Sequence, residues 1–258
     1  MNVGVLFPQL RILLVLATSV LVFICSHESR AALVLENSSG TAGTTGYGLG
    51  NYYQGIFFTT GGLGGNSHWQ LQTLQIGLYN QAGLNSGDTV AFDIALRATS
   101  GGTPSGGIIA STTLSYLNTT ALTTYYTRSF SLSGLSGAEL AENTNYGLFL
   151  YNGKINGSSA GDNPLWFFDG SPSASNTGNP VAGYNNYQGW TANGYYRASS
   201  GSPDAGTLYT GAAVMMEINA VAVAPEPRQL AASGLFLVCA GGYVFLRRRR
   251  QARLTISA

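Results

Sequence analysis

The chain is 258 residues long, only 9% of it is charged, and 35 of its residues are glycine. Its formal net charge of +1 hides an asymmetry: from Ala32 to Ala224 nine acidic residues oppose four basic ones, while five arginines crowd the last twelve positions. A body at about −5 offers no basic face to replace phosphate counterions, which excludes nucleic acid as its partner. Cys25 and Cys239 lie in apolar runs near the two ends, and His68 is the one histidine of the body. A disulfide framework, a thiolate zinc site and a multi-imidazole metal site are therefore excluded there, and no cofactor is expected. One histidine is enough for a Ser/His/Asp triad, but no Gly-x-Ser-x-Gly elbow leads into a helical pattern.

The first element is an uncharged run of fourteen residues, Ile12 to Cys25, behind Arg11 and the free amine. It opens into Ser26 to Ala32, where Ser29 and Ala31 place small side chains ahead of Ala32. A basic start, an apolar core too short to span comfortably and a small-residue exit predict a secretory signal peptide over 1–31, cut by signal peptidase before Ala32. An uncleaved anchor or a buried core helix is the competing reading. Ile24 is too bulky for the position before a lipidated cysteine, so Cys25 does not mark a lipoprotein.

Residues 32–223 read as short strands separated by Gly, Ser, Asn and Pro clusters. Strands are predicted over 54–59, 69–79, 89–98, 108–116, 125–132, 146–151, 165–169 and 211–223. In 89–98 the alternation is clean, with Val90, Phe92, Ile94 and Leu96 on one side and Asp93 and Arg97 on the other. In 69–79 Trp69 and Leu71 stand out of phase with Leu74, Ile76 and Leu78, so a bulge at Gln72–Thr73 is required to keep one face inward. Only residues 137–143 hint at a helical turn. Many short strands predict an all-β, antiparallel β-sandwich of jelly-roll-like type, long enough to fold without a staple.

Tyr184, Tyr187, Trp190, Tyr195 and Tyr196 interleave with Asn, Gln and Gly. Such a segment suits a glycan site, where a sugar face stacks on a ring while amides bond its hydroxyls. The favoured reading is a Tyr-rich hairpin whose Trp190 caps the core, since aromatic residues prefer strands in any case. Trp69 and Trp166 lie in apolar strand patterns and are expected in the core. Asp162, Asn163 and Asp169 offer oxygen ligands for calcium, but without any loop spacing that builds such a site, so a solvated loop is expected and no metal is assigned. The carboxylate pairs Asp88/Asp93 and Glu139/Glu142 are too weak a basis for a glycosidase.

At the other end, Pro225-Glu226-Pro227 forbids helix and ladder alike and leaves an extended segment open to a protease. Seventeen uncharged residues follow, Leu230 to Leu246, and then Arg247, Arg248, Arg249 and Arg250. At about 1.5 Å per residue the run reaches roughly 26 Å as a helix, at the lower limit for spanning, and the arginines should stay cytoplasmic. The three parts, in this order and at this spacing, resemble the PEP-CTERM sorting tail of Gram-negative bacteria. The resemblance covers 224–250; residues 251–258 form a short cytoplasmic tail longer than usual for the family. It implies exosortase, a membrane-embedded cysteine peptidase/transpeptidase, as the processing partner, cleavage near Pro225, Glu226 and Pro227, and an association with exopolysaccharide and biofilm. An ordinary type I membrane anchor is the bland alternative. More weakly, Phe57 to Gly62, Leu71 to Leu78 and Leu140 to Leu148 resemble the choice-of-anchor R domain found beside such tails, which implies an extracellular β domain and brings no catalytic residues with it.

The expectation is a non-enzymatic surface or extracellular-matrix protein. It would be exported, held in the cytoplasmic membrane facing the periplasm, then sorted by exosortase to the cell surface or matrix, with extracellular polysaccharide as partner. The alternative is a carbohydrate-binding adhesion module using the Tyr184 to Tyr196 segment.

Overall fold

The computed structural model describes residues 31–37, 42–80, 83–100, 102–119, 125–161, 163–169, 184–199, 202–210 and 214–224. The chain divides into a unit of Arg30–Val223 and a second made of the two terminal segments. Of the terminal unit only Ala224 is among the described residues, so the expected signal peptide, Pro225-Glu226-Pro227 and the apolar run after them lie outside these. Among the described residues no helix is long and apolar enough to cross a membrane.

The body is all-β and antiparallel. Its strands are β1 (Ala32–Glu36), β2 (Ala42–Gly48), β3 (Tyr52–Thr59), β4 (His68–Tyr79), β5 (Thr89–Ser100), β6 (Thr103–Leu117) and β7 (Tyr125–Ser131). They continue with β8 (Asn145–Ile155), β9 (Ser158–Ser159), β10 (Leu165–Asp169), β11 (Asn185–Asn186), β12 (Thr191–Ser199), β13 (Thr207–Tyr209) and β14 (Met216–Val223). One sheet runs β11-β1-β14-β4-β10-β2 with β7 also on β4; the other runs β13-β12-β3-β8-β5-β6 with β9 on β8. Ile76 of β4 pairs with both Met216 of β14 and Arg128 of β7, and Tyr79 with both Leu165 of β10 and Tyr125 of β7. Hence β14 and β10 follow one another along the same side of β4, and β7 takes the other side.

A single apolar cluster joins the inner faces of the two sheets, with Val34, Leu74, Ile76 and Ile218 from the first and Ile56, Phe92, Ile94 and Leu148 from the second. Each such side chain contributes about 1.5–3 kcal/mol on burial. The alternation in β5 is as expected: Val90, Phe92, Ile94 and Leu96 are buried. The turn before it closes on Gly87 at φ 97°, with the Asp88 carboxylate accepting a 2.7 Å bond from the Asn85 amide N–H. The bulge in β4 is also present. Asn219 pairs with Thr73 and Ala220 with Leu71, which leaves Gln72 as the extra residue and turns Trp69 and Leu71 inward.

Two expectations need correction. The helical turn falls earlier, as a 3-10 turn at Ser133–Leu135, because Leu140 is buried and exchanges two 2.9 Å backbone bonds with Trp69. A residue bridged to β4 in this way is not free to hydrogen-bond along a helix. β12 was also absent from the separate strands predicted, and only the Tyr-rich hairpin reading of 184–196 allowed for it. It pairs with β3 along its length, with a register shift between Ala192 and Gly194, and its two adjacent tyrosines are buried on opposite faces, so no polar alternation marks it.

The second sheet buries apolar side chains on its outer face too. Tyr53, Phe57, Phe149, Tyr196 and Ala198 form a separate cluster there, with Leu208 packed against it. Phe57 stacks on Tyr196 at 5.2 Å and Tyr53 on Phe149 at 4.7 Å. The Phe149 ring lies across two glycines: a Cβ on Gly55 would stand 2.5 Å from Phe149 Cδ1 and from the Leu148 carbonyl oxygen, and one on Gly147 would stand 2.6 Å from the same ring. Backbone cannot retreat from that contact, so Gly55→Ala is expected to lower unfolding free energy by about 1–3 kcal/mol in urea titrations.

Candidate functional site

The segment from Tyr184 to Tyr196 begins beside β1, where Asn185 and Asn186 pair with Glu36 and Leu35. It turns at Gln188–Gly189 and enters β12. Four of its five candidate rings are turned into the protein. Trp190 is 1% exposed, stacked on Phe58 at 5.1 Å and edge-on to Trp69 at 5.6 Å. Tyr195 is fully buried in the main core, and its hydroxyl donates to Gln54 Oε1 at 2.9 Å. Tyr196 points to the opposite face, into the outer cluster, donating to the Pro203 carbonyl and accepting from the Gly206 amide N–H. Tyr184 is buried with its hydroxyl on the Val214 backbone. Burial holds the hydroxyls of Tyr195 and Tyr196 above the ordinary phenol range, so both stay neutral. Tyr187 alone remains exposed, and its hydroxyl donates to Glu36 Oε2 at 3.0 Å. The five rings thus do not form one surface: of the glycan contacts expected there, only Tyr187 presents a ring to solvent.

Arg197 supplies an arrangement that the sequence pattern did not reveal. Its guanidinium carbon lies 3.9 Å from the Tyr47 ring centre and 5.4 Å from those of Tyr52 and Tyr209, and Nη2 donates to the Tyr209 hydroxyl at 3.0 Å. Tyr47 belongs to β2 in the first sheet, while the other three residues belong to the second. Beneath it, buried Gln54 donates to the Tyr47 carbonyl at 3.1 Å, a second tie between the sheets. The aromatic cage is filled by the chain's own cation, so it acts as a clasp rather than an open cation site. The one available signal was the cluster Tyr47, Tyr52, Tyr53 ahead of a strand, but its partner is about 150 residues away.

The polar candidates are likewise engaged internally. Asp88 accepts from the Asn85 N–H and the Asn156 amide at 2.7 Å each, and these bonds hold its carboxyl below the usual range. Asp93 accepts from Thr113 Oγ1 at 2.6 Å and Asn152 Nδ2 at 2.7 Å. Glu142 accepts from the Leu63 N–H at 2.9 Å. His68 Nδ1 stands 3.0 Å from Ser67 Oγ and 4.0 Å from Glu139 Oε1. A triad needs serine on one ring nitrogen and the carboxylate on the other. Here both meet the same nitrogen, and the Ser67 hydroxyl also lies 3.0 Å from the Val223 carbonyl. Among the described residues no group of three or more His, Cys, Asp or Glu is placed to hold a metal. Of the calcium candidates, Asp162 lies outside the described residues, and Asn163 is buried.

No protein-family model matches the chain, and no curated protein matches it. Solved structures that resemble it include several from infectious bursal disease virus. The Gt strain structure is 14% identical, with 79% of this chain and 44% of that one covered, at a TM-score of 0.29. A VP2 subviral particle gives 12%, 79%, 43% and 0.27, and a T13 viral particle 11%, 76%, 36% and 0.25. The chain spans less than half the length of these proteins, and so slight a likeness assigns it neither family nor role.

Two outcomes follow from this geometry. Trp190→Ala should cost about 3–5 kcal/mol of stability in chemical denaturation, whereas Tyr187→Ala should leave stability within about 0.5 kcal/mol of the parent. The lowered Asp88 carboxyl stabilises the fold above its unfolded-state pKa and ceases to do so as pH falls through the folded value. Thermal melts between pH about 5 and 3 should therefore decline less steeply for Asp88→Asn than for the parent.

Proposed function

We propose that the chain is an exported, non-enzymatic surface or extracellular-matrix protein, sorted by exosortase through a PEP-CTERM tail and associated with exopolysaccharide. The observation that carries this reading is the order of parts at the C-terminal end: Pro225-Glu226-Pro227, the uncharged run Leu230 to Leu246, then Arg247, Arg248, Arg249 and Arg250. The apolar run Ile12 to Cys25 with Ser29, Ala31 and Ala32 after it supplies the matching export signal. In this reading 1–31 is removed by signal peptidase, 32–223 is the extracytoplasmic domain, 224–250 is the sorting tail and 251–258 stays cytoplasmic until cleavage.

The body supports a structural role. Asp88, Asp93 and Glu142 accept hydrogen bonds from neighbouring backbone and amides, and the large rings serve packing. Its pairings also suit a jelly-roll-like sandwich. β1-β14-β4-β7 in one sheet and β3-β8-β5-β6 in the other reproduce the alternation of two interleaved Greek keys, with β9 to β13 inserted before the last strand. β1 and β14 are neighbours, so the residues that lead to both processing segments leave from the same end of that pair.

The test is the intact mass of the protein recovered from cells and medium, with and without exosortase. A species beginning near Ala32 and ending near Pro225 is expected only when the enzyme is present. A chain that keeps Leu230 to Arg250 in both strains would overturn the sorting step and leave a plain membrane-anchored ectodomain.

A further inference from the structure

We propose that the outer edge of β6 pairs with the β6 edge of a second copy of this chain, antiparallel about a two-fold axis at Thr113. This inference goes beyond the sorting reading and does not depend on it. β6 closes its sheet, and among the described residues no strand pairs with its far side. From Ala110 to Leu117 it runs without a register shift against Leu96 to Thr89, a straight ladder of eight residues.

Sheet edges are normally guarded by charge, proline or bulges. β6 carries no charged residue, its one proline is Pro104 near the start, and its bulges precede Ala110. Three of the large apolar side chains exposed among the described residues lie on this strand, Ile108 at 54%, Ile109 at 44% and Leu117 at 58%.

The backbone direction selects the register. Asn118 donates its N–H to the Asp88 carbonyl, and its own carbonyl accepts from the Gly87 N–H, so its backbone groups face the β5 side. Residues an even number of places away point the same way. Ser111, Thr113, Ser115 and Leu117 therefore aim their N–H and C=O groups at the open edge.

A two-fold axis normal to the sheet keeps each face in register only when partner numbers add to an even sum. Centred on Thr113, it sets Thr113 against its own copy and Ser111 against Ser115 of the second copy, and brings Leu117 up to the bulge that holds Ile109. Polar side chains meet in the middle and exposed apolar ones at both ends. A second copy also fits the charge. The body stands at about −5, so copies repel in general, and least where the facing strands are uncharged. This makes another copy, rather than a basic partner drawn to acidic surface, the occupant that β6 matches.

The experiment is sedimentation equilibrium of the full-length chain in detergent micelles, over a concentration series and at low and high salt. The parent is compared with the double variant Ser111→Lys/Ser115→Lys and with Thr113→Pro. Both serine side chains are exposed, and the Thr113 N–H points away from β5, so neither variant removes a backbone bond of the internal ladder; Thr113→Pro gives up one side-chain bond, from Oγ1 to Asp93. The parent should show a dimer little affected by salt. The lysine variant, which sets like charges opposite each other, should weaken it about tenfold or more, and the proline variant should do the same, each with a circular dichroism spectrum like the parent's. A parent that stays monomeric throughout would overturn the proposal. A dimer of equal strength in both folded variants would overturn it too, by placing the contact elsewhere.

Discussion

One extra residue in β4 governs how the two layers meet. Without Gln72, the phase that turns Leu74, Ile76 and Leu78 inward would turn Trp69 and Leu71 out to solvent. The bulge keeps both halves of the twelve-residue strand facing the same way, so one strand can serve β14, β7 and β10 together. Trp69 then reaches the Gly61 carbonyl through Nε1 and lies edge-on to Trp190, which in turn stacks on Phe58 of the opposite sheet. The junction between the layers thus depends on a local departure from regular pairing.

The second sheet has two apolar faces, and that changes what its aromatic residues mean. Tyr195 and Tyr196 are adjacent and both fully buried, one in the main core and one outside it. The outer cluster is held beside segment 202–209, tied by the Tyr196 hydroxyl to Pro203 and Gly206 and by Arg97 Nη1 to Asp204 at 2.7 Å. The Arg97–Asp204 pair is exposed on its acidic side, so its contribution is modest and falls with salt. Aromatic contact supplies most of the attraction there, and the glycines at 55 and 147 are the price of laying Phe149 flat against the sheet.

What was legible in the amino-acid order was whatever depended on local alternation. β5 could be read because its faces differ in polarity, and β4 because its break in phase had a single simple repair. β12 was legible only as half of a Tyr-rich hairpin with Trp190 in the core, not by alternation, because both its faces are buried and a register shift interrupts it. β1 is five residues long, and β2 consists mostly of glycine, threonine and alanine, which read as linker. The candidate glycan segment failed as a single surface for a non-local reason. Whether Tyr196 is covered depends on Pro203 and Gly206, and whether Trp190 is covered depends on Phe58 and Trp69, none of which the segment itself specifies. The Arg197 clasp joins four strands and was out of reach for the same reason.

The adjacency of β1 and β14 has a mechanical consequence. Ala32 lies opposite Ala220, so the chain enters and leaves the body at the same end of one short antiparallel pair. A force drawing those two ends apart loads the β1–β14 ladder in sequence rather than all at once, and each bond opens before the next is strained. The body therefore resists traction poorly along the line between its own ends. A load passing from one of those ends to the far edge of a sheet would instead be shared among the bonds of each ladder it crosses.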